Sequence, residues 1–242
     1  MSIDTARRHR SFFFPAMAML GLLAVFIGFW KTFIEPVSKG AFEAPLSIYI
    51  HGGFAFSWIC LFAAQTILIR LRKFRYHKLL GYSGIFIAAS AALTMIPAGL
   101  YSVEKELAQG LGETAISTIL GAITSGMLFL SLVAAGILYR TKPETHRWFM
   151  LLATVVLLWP AWFRFRHYFP SVPEPQLWFG LILADSLILI AIAWDVLTNK
   201  KVSAVLLYVG LFIIAEQTFE VFMFDRPLWR VIAKHVYLLI SY

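Results

Sequence analysis

Seven stretches of this chain stay apolar over the length of a bilayer crossing, and they constrain the fold more than any other feature. They run approximately over residues 12–34, 46–69, 80–102, 115–138, 147–165, 177–198 and 202–224. Each holds about 20 mostly apolar residues, which at about 1.5 Å of helical rise per residue matches a hydrocarbon core about 30 Å thick. Inside that core every backbone N–H and C=O must find a partner within the protein, which leaves helices or closed barrels. The runs lack the alternation of barrel strands, so they read as helices. With 60% hydrophobic and only 14% charged residues, the chain is more apolar than an ordinary soluble domain. The expected fold is a single all-α integral membrane domain over 1–242. The first run follows Arg7, Arg8 and Arg10 but is longer than a signal-peptide core of about 7–15 residues. It also lacks a small-x-small cleavage site, so it is expected to be span one.

The basic residues set the expected orientation. The run Arg70–Gly81, RLRKFRYHKLLG, is the strongest cationic stretch, and a weaker copy follows at Tyr139–Met150, YRTKPETHRWFM. These turns, the N-terminal arginines, and Lys200 with Lys201 carry most of the 21 lysines and arginines. The intervening loops, EPVSKGAFEAP and EKELAQGLGE, are acidic or neutral. Positive residues concentrate on cytoplasmic turns, so the N-terminus is expected inside and the C-terminus outside. The net charge of +8 is thus an orientation signal rather than a nucleic-acid patch. Cys60, alone on an apolar run, allows no disulfide framework and reads as a small packed hydrophobe.

Residues 226–242 are too short and too basic for an eighth span. Arg226, Arg230 and Lys234 recur every four residues opposite Val231, Ile232 and Val236, the pattern of an amphipathic helix in the membrane interface. Trp229 and Tyr237 suit headgroup level there; packing on the protein's own outer loops is the alternative. Span three is rich in small residues, from Gly81 to Ala92, which mark close helix contact in lipid and a central place. The two similar turns point to tandem hairpins, spans two–three and four–five, forming a four-helix core.

Ionisable groups inside spans are costly and need a reason. Counted from the outer boundary, His51 lies about 7 Å deep, Asp185 and Glu216 about 12 Å, and Glu220 about 6 Å, with Arg164 near the boundary and His167 just above it. One reading is an outward-facing polar cavity holding a small molecule or a metal on Asp185, Glu216 and Glu220. The other is a set of internal ion pairs joining Arg164 to Glu216 or Glu220. His51, followed by Gly52 and Gly53, heads a helix face that continues through Trp58 and Gln65.

The histidines offer a further pattern. Bis-histidine haem needs two neutral imidazoles at one depth on neighbouring helices. His77 and His146 meet that depth condition at the inner boundary, and His51 and His167 roughly meet it at the outer one. Capping or lipid-phosphate contact would equally account for His77 and His146. The chain has no nucleotide fingerprint, Walker motif or HExxH, so these soluble chemistries have no support. Span seven has no lysine for a retinal Schiff base.

The segments HGGFAFSWICLFAAQTIL, YHKLLGYSG and KPETHRWFMLLATVVLLWPAWFR resemble the signatures HGxxFxxW, HKxLG and KPxxHRxxMLLAT of a widespread family of uncharacterised bacterial multi-pass inner-membrane proteins. The likeness covers about residues 12–165. It singles out His51, Trp58, Gln65, His77, Gly81, Lys142, Pro143, His146 and Arg164, and implies a bacterial inner-membrane location. The same segments are loosely similar to two-haem b-type transmembrane cytochromes. The leading expectation is a membrane redox protein binding haem b and exchanging electrons with quinone. His77 and His146 would be inner ligands, His51 an outer ligand or quinone contact, and Arg164 a propionate or head-group contact. A non-catalytic accessory subunit of a larger membrane complex, or a homo-oligomer, is the alternative from another class.

Overall fold

The computed structural model describes residues 12–241 and is all-helical over them, with seven helices long and apolar enough to cross a bilayer. They are α1 (Phe13–Ser38), α2 (Leu46–Arg70), α3 (Phe74–Ala108), α4 (Glu113–Leu138), α5 (Pro143–His167), α6 (Gln176–Asn199) and α7 (Ala204–Met223). A shorter α8 (Pro227–Ile240) follows. Arg7, Arg8 and Arg10, counted above toward the cytoplasmic side, lie outside the described residues.

The helix bounds depart from the apolar runs where polar residues continue a helix. α3 has 35 residues against the expected 23 or so, because it begins at Phe74 and takes in most of the basic run. The turn itself is only residues 71–73, closed by Arg72 in the left-handed region at φ 59°. α5 starts at Pro143, a residue suited to the first helical position since its missing N–H would have no intrahelical acceptor. It is interrupted at Leu158, where Pro160 withholds the donor that the carbonyl one turn earlier would take.

Helices α2 to α5 form a ring in which each packs on the next and α5 closes back on α2, the four-helix core expected from the repeated hairpins. α1, α6 and α7 pack around α5. The expectation that span three is central is overturned. α3 is the less buried helix, lying against α2 and α4, whereas α5 touches α1, α2, α4, α6 and α7. The small residues of α3 serve pairwise contact, with Gly84, Ala88 and Ala91 buried. α5 earns the centre through a nearly unbroken buried stretch from Trp148 to Val156. Cys60 is exposed on the bundle surface rather than packed.

Two polar ties lock the ring. The Trp58 indole N–H on α2 donates to Thr154 Oγ1 on α5 at 3.1 Å, and the Trp58 ring meets Phe129 of α4 edge-on at 5.0 Å. Gln65 Nε2 on α2 donates to the His77 carbonyl on α3 at 3.1 Å.

α8 packs along α4. Trp229 and Ala233 are buried against Val103, Ile119 and Leu120, and the Trp229 N–H donates to Ser117 O at 2.9 Å. Trp229 is thus a helix-contact residue, not a free headgroup anchor. Arg230 and Lys234 reach Glu113 at 3.9 and 3.5 Å. Val231 and Ile232 remain exposed.

Candidate functional site

At the end of the bundle that carries the basic turns, His77 and His146 come together. Their ring centres lie 6.4 Å apart with the planes nearly perpendicular at 87°. Both stand near the start of a helix, α3 and α5, and the ring topology of α2–α5 brings those starts to one level. The last carbonyls of a helix have no intrahelical donor. Gly136 O, in the last turn of α4, meets that need by accepting from His146 Nδ1–H at 2.8 Å. The bond holds neutral His146 in the tautomer whose Nε2 carries a free lone pair. Metal-bound histidines commonly have their other nitrogen held in this way. Nδ1 of His77 is buried without a partner.

The spacing of the two ring centres is the one that two imidazoles would have if both bound a single metal. Two imidazole nitrogens bound to one metal from opposite sides, each at about 2.0 Å, put their ring centres roughly 6–6.5 Å apart. Among the described residues no third histidine, cysteine or carboxylate joins the pair to complete a three-ligand metal cluster. A haem asks the protein for two axial ligands only. The glycine slots nearby are occupied by side chains. A Cβ on Gly136 would lie 2.1 Å from Met150 Cε, and one on Gly84 would lie 2.9 Å from Leu61 Cδ2. Room for a flat ring therefore requires side chains to swing aside, which the unbranched Met150 can do at low cost.

In the half of the bundle away from the basic turns, the polar side chains form two separate groups rather than one shared cavity. In the first, His51 Nδ1 donates to Thr94 Oγ1 at 3.1 Å, and the Thr94 hydroxyl donates in turn to Ser90 O at 2.6 Å. Arg164 donates to Pro160 O at 2.8 Å and stacks on Phe29, its guanidinium carbon 4.1 Å from the ring centre. His167 is exposed, with its carbonyl bonded by Lys31 Nζ at 3.1 Å. No ring contact joins His167 to His51 among the described residues. Gly52 and Gly53 meet nothing within 4 Å.

The second group is acidic. Glu216 and Glu220 stand one turn apart on α7. The Thr124 hydroxyl on α4 bonds the Glu220 carboxylate. Asp185 on α6, only 4% exposed, has neither carboxylate oxygen in a hydrogen bond, and Gln217 Oε1 is buried and unpartnered as well. Arg164 makes no ion pair with Glu216 or Glu220, so the expected internal ion pairs are absent among the described residues. Its cation rests on an aromatic face instead.

The sequence reading missed Thr94, Thr124 and Gly136 as partners of the candidate residues. Threonines inside apolar runs were the available signal for the first two. Gly136 acts through its carbonyl, which carries no sequence signal. Comparison with family models, with curated proteins and with solved structures finds no match to this chain.

Proposed function

We propose that this chain is a redox protein of the bacterial inner membrane, with a cytoplasmic N-terminus and His77 and His146 as the axial pair of a b-type haem. The approach of these two imidazoles across the α2–α5 ring carries the reading. A b-type haem, when bound, supplies one-electron transfer. The chain's own part is to hold two neutral imidazoles at one depth. Gly136 O orients His146, and Gln65 braces the backbone of His77. Arg164 lies about 27 Å along α5 from His146, too far to hold a propionate of a group bound there. With His51 it forms instead the outer-side contact for a quinone head group, His51 presenting a ring whose Nδ1 is already engaged by Thr94. α8 lies in the outer interface under this orientation, with Val231 and Ile232 toward lipid.

The test is the absorbance spectrum of protein purified from haem-replete cells. A Soret band is expected, weakened in His77→Ala and His146→Ala and unchanged in His235→Ala. A colourless preparation of the folded protein overturns the proposal.

A further inference from the structure

The groove at the α2–α3 turn has a use that the haem reading leaves untouched. It has a volume of about 510 Å³ and is lined by Ala64, Ile67 and Leu68 of α2, Lys73 of the turn, and Tyr76 and Leu80 of α3. Apart from Lys73 and the Tyr76 hydroxyl the lining is hydrocarbon, and Ile67, Tyr76 and Leu80 are exposed on the face that lipid would cover. The mouth is cationic. Lys73 lines the groove and Arg72 stands beside it in the turn; both are exposed, and neither has a carboxylate within ion-pair distance among the described residues. No acidic residue occurs between Arg70 and Gly81. The turn that carries Arg72 and Lys73 is short and closed by backbone hydrogen bonds from Arg72 N to Ile69 O at 3.0 Å and from Lys73 N to Leu68 O at 2.9 Å. Lys73, with Arg72 next to it, is therefore held at the groove by a turn of fixed backbone.

We infer that this groove binds an anionic phospholipid, with an acyl chain along Ile67, Leu68 and Leu80 and the phosphate at Lys73 and Arg72. Two features select this occupant. The apolar lining fits a hydrocarbon chain and not a free anion, and the uncompensated positive mouth fits a net-negative head group better than a zwitterion. Basic pockets between transmembrane helices recognise anionic head groups by this combination.

The experiment measures retained lipid on the full chain, purified in mild detergent after exposure to mixed phosphatidylglycerol and phosphatidylcholine, by native mass spectrometry. Phosphatidylglycerol is expected to be retained preferentially. The double variant Arg72→Gln/Lys73→Gln is expected to lose roughly 10- to 30-fold of that preference, the effect of two surface cations. Leu80→Ser is expected to weaken retention of both lipids. Equal retention of both lipids by the wild-type chain overturns the inference. So does an unchanged preference in the double variant with unchanged helix content, displacement of the lipid by millimolar inorganic phosphate alone, or a second copy of the chain occupying the groove. Because the variants leave His77 and His146 intact, the Soret band reads the haem proposal separately.

Discussion

Asp225 is the latch that holds α8 to α4, and neutralising it should loosen α8 in a pH-dependent way. Its Oδ1 accepts from Arg230 Nε at 2.7 Å and Ser117 Oγ at 2.8 Å, while Oδ2 accepts from Arg230 Nη2 at 2.5 Å and Thr114 Oγ1 at 2.9 Å. Arg230 thus grips both oxygens, the strong form of an ion pair, and its hydrogen bonds are the main cause of an Asp225 pKa lowered from 3.8 to about 2. That difference is worth about 2.5 kcal/mol at full strength. The Asp225 side chain is 21% and the Arg230 side chain 42% exposed, so screening reduces the Asp225 contribution to roughly 1–2 kcal/mol. Asp225→Asn is the cleanest perturbation, since asparagine tolerates the left-handed backbone found here at φ 62°. At pH 7 the variant's α8 amides should exchange with solvent roughly 5- to 30-fold faster than the wild type's. The sign of the pH effect follows from a lowered pKa. The stabilisation is complete above the ordinary carboxylate range and fades as pH falls through about 4 towards about 2, so the thermal midpoints of wild type and variant should converge over that interval. Equal protection of α8 at pH 7, or a midpoint difference that persists at low pH, refutes the latch.

Three further substitutions test a close helix contact, its open control and a buried carboxylate. A Cβ on Gly28 would stand 2.2 Å from Ala161 O, a backbone atom that cannot rotate away. Gly28→Ala should therefore cost about 1–3 kcal/mol or more by prising α1 from α5, while Gly52→Ala, with nothing within 4 Å, should be neutral or slightly stabilising, as read by thermal melting in detergent. Asp185→Asn removes a carboxylate whose oxygens have no partner. It should leave stability unchanged or raise it by about 1 kcal/mol, and a loss of that size or more would mean that a bound cation or a small molecule normally satisfies the carboxylate.

The crossing helices were legible because lipid leaves a chain few options, and a run of about 20 apolar residues states its own fate. The identity of the central helix was not legible. Small residues in span three signalled close contact, but a helix can be tightly packed along one stripe and still stand at the rim. α5 is central because large side chains such as Trp148, Leu151 and Leu152 find partners on several sides, a property of the assembly rather than of its own pattern. The level of His77 and His146 was readable from the repeated turn. Their approach needed the ring of α2–α5. The two aspartates of α6 differ. Asp195 accepts from Asn199 Nδ2 at 2.5 Å and from Ser203 N at 2.8 Å, tying the α6–α7 turn. Asp185, ten residues earlier on the same helix, has no such partner. The local signal that separates them is one turn on, where Asp195 has Asn199 and Asp185 has Leu189.

That contrast bears on how this bundle distributes charge. Several cations near the helix ends rest on aromatic faces. Arg164 lies on Phe29, Arg166 on Phe163 at 3.8 Å and Lys31 on Tyr168 at 4.4 Å, and Arg70 lies 3.3 Å from the centre of the Phe12 ring. An aromatic face satisfies a cation without drawing it into the hydrocarbon core. The consequence falls on the carboxylates of α6 and α7. Arg164, which could have neutralised Glu216 or Glu220, is committed elsewhere, and Thr124 supplies only a neutral hydroxyl. Three carboxyl groups in a low-dielectric setting cannot all stay ionised without a counter-charge. Among the described residues no cation pairs with them, so the positive charge they lack has to be supplied as protons or as a bound cation.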